Sequence, residues 1–362
     1  MAITISVPDA LRQAVEAASG GKNTVLYDNK GYPSIMVVIP KFNLQDIDPS
    51  LGTGVHPAFI VNGVEKSEIF IGKFQAKVHD GVALSLPNQD PTTYVNFDQA
   101  LNYCKNKGPG WHLMTNAEWA AIALWCWKNG FQPRGNNNYG RDWSQPYETG
   151  RRVDGKSPGD PSGTPRTLTG SGPASWYHDN SPFGIADLNG NVWEWVGGIR
   201  LYNGEIQILP NNNAADNTKN QSSTSTEWKA IKQDGSLVPP GTEGTLKYDS
   251  VGPPGNGTTA AQLDVVIDYQ TDDTTYTYNT FQNLAADTGI TVPNILKALG
   301  LFPVTTTGLG DDGMWVCNYN ERILLRGGRS DQFFRAGLFA LTLLYPRSLS
   351  GWSNGFRPAF VA

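Results

Sequence analysis

The sequence is poor in the residues on which disulfide frameworks and metal sites depend. Its 362 residues include three cysteines (Cys104, Cys126 and Cys317) and four histidines, all widely spaced. Such numbers and spacings do not fit a disulfide framework or a zinc site. We therefore predict neither a metal centre nor another cofactor from these residues.

Long apolar runs and clusters of positive charge are also missing. No apolar stretch approaches the roughly 20 residues that cross a membrane, so the sequence predicts no membrane insertion. The chain has 28 Lys and Arg against 33 Asp and Glu, a net charge of −5, and no basic run. This balance predicts no nucleic-acid partner. Met1 to Gln13 shows no basic start followed by an apolar stretch, so no secretory signal is predicted.

Glycine and proline are abundant instead, with 40 and 24 residues, and eleven tryptophans are present. This composition predicts a loop-rich α+β chain with short elements and many large rings. Two helices have clear start signals. Asn96 with Gln99 and Thr115 with Glu118 have the spacing of capping boxes.

Composition along the chain suggests two regions and one insertion. Residues 1–50 are predicted to form a small N-terminal attachment or oligomerisation unit, because a turn-rich joint follows them. Residues 51–362 are predicted to form the main domain. Residues 199–313 are rich in Asn, Thr, Ser, Gly and Asp and are predicted to be a long polar insertion in that domain.

Three ordered segments carry a family resemblance. They are Gly110–Trp119, Phe183–Trp195, and Arg326–Gly328 followed by Gly355–Ala359. Together they resemble the formylglycine-generating-enzyme-like branch of the C-type lectin fold, over roughly residues 55–198 and 314–362. The resemblance implies an α+β fold of this type.

The same segments raise a metal hypothesis. Asn191 and Glu194 are candidates for a structural Ca²⁺ site, as related positions are in some relatives. Calcium prefers six to eight oxygens, and one carboxylate supplies few of them. We therefore expect no cofactor and keep calcium as an alternative. Arg326 and Arg357 are predicted to brace the core.

This sequence does not contain the residues on which the enzymatic chemistry of the family depends. The enzyme of this family is similar to a copper-dependent oxidase and has paired cysteines near its C-terminus. No cysteine occurs between Arg326 and Ala362. We therefore predict that the chain is not an enzyme. The alternative is an oxidase, or another enzyme of the same fold, with an unrecognised site.

The stretch from Arg329 to Asn354 places large rings beside arginines, on either side of a regular strand pattern. It resembles the variable proteins of diversity-generating retroelements, which include phage tropism determinants. The resemblance implies a C-terminal variable region over residues 326–358. It also implies a set of diversified, ligand-binding positions: Arg329, Ser330, Asp331, Phe333, Phe334, Arg335, Thr342, Leu344, Tyr345, Arg347, Leu349, Gly351 and Ser353.

A second interpretation of these positions stays open. Phe333, Phe334, Leu344 and Tyr345 are residues whose commonest place is a protein core. They fit the core of a β-rich C-terminal segment as well as a binding surface.

The variable-protein resemblance implies a non-enzymatic receptor-binding protein, and specifically a phage or prophage tail protein that acts in host adsorption. Its expected partner is a protein or glycan receptor on a host cell surface. A homo-oligomer is expected, with a trimer as one option. The expected location is the virion tail, after synthesis in the host cytoplasm, and the bacterial cell surface is the alternative.

Overall fold

The computed structural model describes residues 9–362. The α-helices of this part are α1 (Ala10–Ser19), α2 (Leu44–Ile47), α3 (Phe97–Lys105), α4 (Asn116–Lys128) and α5 (Asn294–Ala298). Its strands are β1 (Asn23–Tyr27), β2 (Pro33–Pro40), β3 (Ile60–Val61), β4 (Val64–Glu65), β5 (Glu68–Gly72), β6 (Lys77–His79), β7 (Val82–Leu84), β8 (Trp111–Leu113), β9 (Trp193–Tyr202), β10 (Glu205–Ile208), β11 (Lys229–Ile231), β12 (Leu237–Val238), β13 (Lys247–Ser250), β14 (Ala261–Asp264), β15 (Thr277–Thr280), β16 (Ala285–Ala286), β17 (Gly313–Val316), β18 (Glu321–Gly327), β19 (Gly337–Tyr345), β20 (Asn354–Phe356) and β21 (Pro358–Phe360). Between residues 9 and 362, none of the helices has the length and apolar character needed to cross a bilayer.

Helices α3 and α4 begin where their capping residues predict. The Asn96 side chain accepts from the backbone N–H of Gln99, and the Gln99 side chain accepts in return. Thr115 and Glu118 form the same reciprocal pair, with N···O distances of 3.2 and 2.9 Å. Each box satisfies N–H groups that a helix start leaves free. Nearly all of α4 is buried, which places this helix inside the core.

The N-terminal hairpin belongs to the main domain. Strand β2 pairs with β5, and the C-terminal strand β21 lies between β5 and β8, in a sheet ordered β1-β2-β5-β21-β8. The prediction of a separate unit over residues 1–50 is therefore wrong for residues 9–50; residues 1–8 lie outside the described part. The physical reason is that a two-stranded hairpin is marginal alone and needs more strands or a packed face.

The polar insertion also contributes to the sheet at the centre of the molecule. That sheet has the order β15-β17-β19-β18-β9-β10-β13-β14-β16, so strands of residues 199–313 lie at both ends. The backbone N–H of Tyr278, in β15, donates to the carbonyl of Thr259, just before β14, at 2.9 Å. The insertion thus curls round and brings β15 beside the C-terminal strand β17, which pairs with β19 on its other edge.

Candidate ligand-binding surface

A buried ion pair holds the C-terminal strands to the centre of the fold. Arg357 donates to both carboxylate oxygens of Glu194, at 2.7 and 2.6 Å, and both side chains are almost fully buried. Arg357 also donates to the carbonyls of Gly72 and Ala186, at 2.9 and 3.0 Å. These hydrogen bonds satisfy the charges, which is the condition for burying an ion pair at tolerable cost.

The same contacts decide the calcium hypothesis for Asn191 and Glu194. Both oxygens of Glu194 are taken by Arg357. The Asn191 Oδ1 accepts from Asn136 Nδ2 at 3.0 Å and from the backbone N–H of Thr167 at 2.7 Å. A cation would have to displace a guanidinium and break this network. The structure therefore does not support a calcium site at this pair.

Arg326 braces the core, as the sequence predicts. Its guanidinium donates to Asn116 Oδ1 at 3.1 and 2.7 Å and to the carbonyl of Gly300 at 2.8 Å. Burial lowers the pKa of Arg326 to about 10. Arg326 therefore ties β18 to α4 and to the end of the insertion, just before the loop that leads to β19.

That loop, residues 328–336, is anchored by main-chain hydrogen bonds. The N–H of Phe333 donates to the carbonyl of Asn137 at 2.8 Å, and the N–H of Tyr139 donates to the carbonyl of Ser330 at 2.6 Å. Backbone bonds of this kind do not depend on the side chains of the bonded residues. The loop can therefore keep its position when its side chains change.

The side chains at this anchored loop are exposed aromatic rings. Phe333 and Phe334 are each 38% exposed and Trp143 is 44% exposed. Phe333 packs edge-on against Tyr139, with centroids 5.8 Å apart, and Phe334 packs edge-on against Trp143 at 5.9 Å. Edge-to-face pairs of this geometry are favourable beyond simple burial.

Arg335 joins the rings to the insertion. Its guanidinium carbon lies 5.0 Å from the ring centroid of Phe334 and 5.3 Å from that of Tyr278. Its Nε also donates to the Tyr278 hydroxyl at 3.1 Å. Tyr278 in turn packs on Trp315 with centroids 5.2 Å apart. We name the following set the tip surface: Tyr139, Trp143, Tyr278, Phe333, Phe334 and Arg335.

Arg329, Asp331 and Gln332 lie half-buried at the margin of the loop. Arg329 pairs with Asp331 at 2.6 Å, and its guanidinium carbon lies 5.3 Å from the ring centroid of Trp352. Gly351, beside Trp352, is also half-buried. The side chains of Arg329, Asp331 and Trp352 border solvent but already have partners within the chain.

Three predicted binding positions are buried. Ser330, Thr342 and Ser353 are 0%, 2% and 4% exposed. Thr342 lies in a strand that is paired on both edges, with β17 and β18. Neighbouring elements cover these residues, so this structure does not present their side chains to a ligand. Within residues 9–362, the hydroxyls of Ser330 and Thr342 have no hydrogen-bond partner.

The second predicted cluster is tied into the fold. We name residues 344–349, which comprise the last two residues of β19 and the turn after it, the return loop. Arg347 donates to both oxygens of Glu321 at 2.7 and 2.9 Å, to Asp98 at 2.7 Å and to the carbonyl of Gln221 at 3.1 Å. Tyr345 and Leu349 are half-buried against a hydrophobic cluster of the core, and Leu344 is half-buried as well. These side chains serve the fold, and Arg347 has little capacity left for a ligand.

The comparison with protein families decides the fold. The chain matches the Sulfatase-modifying factor enzyme 1-like domain over residues 18–206, slightly more than half of its 362 residues. The chain belongs to this family. The predicted formylglycine-generating-enzyme-like α+β fold is thereby confirmed.

Two solved structures are similar to this family member at low identity. One is Treponema denticola variable protein 1, with 13% identity, 93% of this chain and 98% of that chain covered, and a TM-score of 0.33. The other is PvdO from Pseudomonas aeruginosa, with 15% identity, 93% and 97% covered, and a TM-score of 0.30. A search of curated proteins found no match.

The thiols of this family member do not form a reactive pair. Cys104, Cys126 and Cys317 are all free and buried. Burial raises the pKa of Cys104 and of Cys126 far above the ordinary value for a thiol. A thiol is nucleophilic and metal-binding as its thiolate, which these sites disfavour. Within residues 9–362, no group of three or more His, Cys, Asp or Glu side chains is placed to hold a metal ion.

Sequence reasoning missed half of the tip surface. Tyr139, Trp143 and Tyr278 lie outside the predicted variable region. A tryptophan in the polar stretch around Trp143 was an available signal, because a large ring in a loop needs burial or a partner. Nothing in the local sequence marks Tyr278, since its place depends on how the insertion curls back to β17.

Proposed function

We propose that this protein is a non-enzymatic ligand-binding protein that holds its ligand at the tip surface. The observation that carries the proposal is the exposed cluster of Phe333, Phe334 and Trp143 on a loop whose position is set by main-chain hydrogen bonds. Trp, Tyr and Arg are the residues that most often dominate binding energy at interfaces. Rings on a rigid support also lose little conformational entropy when they bind.

We propose further that part of the loop is diversified. The structure leaves Arg329, Asp331, Phe333, Phe334 and Arg335 at or near the surface. The backbone of Phe333 has a φ of 54°, a left-handed conformation that costs most residues energy but that Asn tolerates. A phenylalanine in this conformation is consistent with a diversified position at which the original residue was asparagine. Tyr139, Trp143 and Tyr278 would be the constant part of the same surface.

The biological setting that we infer is a phage or prophage tail protein that binds a receptor on a host cell. This inference rests on the resemblance of residues 326–358 to variable proteins. Several linked copies would strengthen weak contacts at single tip surfaces, which is the advantage of a homo-oligomer. Display on a bacterial cell surface is the alternative setting.

An enzyme of the same family is the second candidate function, and membership of the family is the observation that favours it. A cleft of about 640 Å³ lies between the N-terminal hairpin and α4 and is lined by Phe42, Trp125, His178 and Phe183 among others. Burial lowers the pKa of His178 to about 4, so its imidazole is neutral near pH 7. Incubation of the protein with copper, dioxygen, a thiol reductant and a cysteine-containing peptide tests this candidate, because an oxidase would use dioxygen, with electrons from the thiol, to convert the cysteine to formylglycine with release of sulfide and water.

The binding proposal is tested with the labelled full chain and a panel of intact bacterial cells. We expect binding to a subset of strains. Exchange of Phe334 and Trp143 for Ala should abolish it, while Val64→Ala, at an exposed apolar residue outside the tip surface, should leave it unchanged. Retained binding by the Phe334→Ala, Trp143→Ala variant would show that the ligand contacts another face.

A further inference from the structure

We propose that the ligand of the tip surface is a protein that presents an Asp or Glu carboxylate beside an apolar side chain. This inference rests on the proposed function and adds the chemistry of the partner. It is carried by the environment of Arg335, which combines a fixed guanidinium group with exposed aromatic rings.

Arg335 is held in place without a charge partner. The rings of Phe334 and Tyr278 lie 5.0 and 5.3 Å from its guanidinium carbon, and the Tyr278 hydroxyl accepts from its Nε. Throughout residues 9–362, no carboxylate lies within salt-bridge distance of this side chain, which is exposed. Its two terminal nitrogens therefore remain free to donate, while the rings limit the rotation that binding would have to suppress.

The other arginines of the predicted region differ from Arg335 in this respect. Arg329 is paired with Asp331, and Arg347 is paired with Glu321 and Asp98. A planar guanidinium with two free donors matches a carboxylate in a bidentate arrangement, which is stronger than a neutral hydrogen bond. The tip surface therefore offers one unsatisfied positive group, and a carboxylate is the complementary group on a partner.

The neighbouring rings favour a protein over a glycan. Phe333, Phe334 and Trp143 present apolar area. The Tyr278 hydroxyl of this cluster already accepts a hydrogen bond from Arg335. Apart from the free nitrogens of Arg335, a sugar rich in hydroxyls would meet mainly ring carbon here, and a hydroxyl that is buried without a hydrogen bond costs free energy. An apolar side chain of a protein has no such requirement.

The test uses the full chain and a display library of random peptides, with a glycan array in parallel. We expect enriched peptides that carry Asp or Glu next to an apolar residue and that lose binding to the Phe334→Ala variant. Exchange of the acidic residue for its amide, or Arg335→Gln in the protein, should each weaken binding about tenfold, and the two together should add little. Arg335→Lys should recover only part of the affinity, since Lys keeps the charge and loses the fork.

The outcomes separate this inference from the proposed function. If peptides or glycans bind the tip surface without a carboxylate, or without dependence on Arg335, the present inference is overturned and the proposed function stands. If peptides bind but Phe334→Ala and Trp143→Ala have no effect, both are overturned. If no peptide is enriched and only glycans bind, the protein partner is overturned.

Discussion

The tip surface and the return loop contain the same kinds of residue and have different roles. Each places an aromatic residue near an arginine in the C-terminal region, Phe334 next to Arg335 and Tyr345 two residues before Arg347. At the tip surface, Arg335 has only rings and one hydroxyl as partners, whereas Arg347 in the return loop has two carboxylates and a carbonyl. The difference comes from the elements nearby, because the start of β18 supplies Glu321 next to Arg347. Identical residue types therefore do not mark identical functions.

The two arginines should differ most in their contribution to stability. We expect Arg347→Ala to lower the free energy of unfolding by about 2 kcal/mol, because it leaves the largely buried carboxylate of Glu321, and the exposed carboxylate of Asp98, without this partner. Arg335→Ala should lower it by less than about 1 kcal/mol, since it removes an exposed group. Urea unfolding of both variants measures the difference. Equal losses would show that the two clusters are not distinct.

Backbone strain at the tip surface should appear in a matched pair of phenylalanine variants. Phe333 and Phe334 are equally exposed, but only Phe333 has a positive φ. Asparagine relieves part of the cost of that conformation. We expect Phe333→Asn to be more stable than Phe334→Asn by about 1 kcal/mol in urea unfolding. The reverse order would argue against strain at Phe333.

The buried hydroxyl of Thr342 should destabilise β19. Thr342 and Thr277 are each 2% exposed, but Thr277 donates to the carbonyl of Val316 at 3.2 Å and Thr342 has no hydrogen-bond partner within residues 9–362. We expect Thr342→Val to raise the free energy of unfolding by about 0.5–1 kcal/mol and Thr277→Val to lower it by a similar amount. Thermal melting of both variants checks the prediction. A loss at Thr342 would indicate a hydrogen bond to water there.

The ion pair between Arg347 of the return loop and Glu321 of β18 should make a small part of the protein's stability depend on acidic pH. Burial alone would raise the pKa of Glu321, but hydrogen bonds and charge from Arg347 and Arg200 outweigh it and lower the pKa below its ordinary value. A carboxyl with a lowered pKa contributes stability near neutral pH, and this is lost as the pH falls through that value. Unfolding measured from pH 7 down to acid should therefore show a smaller loss in Arg347→Ala than in the wild type. An equal loss would exclude this contribution.

Much of the fold could be predicted from local patterns. The capping residues of α3 and α4 act over three residues, and Arg326 and Arg357 fill the bracing roles expected of them. The N-terminal hairpin shows the limit. Its strand β2 has no local mark of its partner β5, which lies beyond the joint that suggested a boundary. Sheet pairing depends on contacts far apart in sequence, so the predicted boundary after residue 50 does not separate residues 9–50 from the rest of the domain, while a role in attachment or oligomerisation stays a prediction.

The candidate site, like the fold, could be predicted from the sequence only in part. The sequence correctly indicated that rings and arginines are concentrated after Arg326. It did not separate Phe334, which is exposed, from Thr342, which lies within a paired strand. The exposure of a side chain depends on which elements cover it, and those elements come from residues 137–143, 277–280 and 313–316.

The sequence by itself determined the family fold, the missing C-terminal cysteine pair and the residue types available for binding, because these depend on local order and composition. Only the tertiary structure decided which of those residues face solvent. It brought Trp143 and Tyr278 beside Phe334 and Arg335, and it paired Arg347 with Glu321. The physical reason is that exposure and pairing are set by packing between distant segments, which no local pattern encodes.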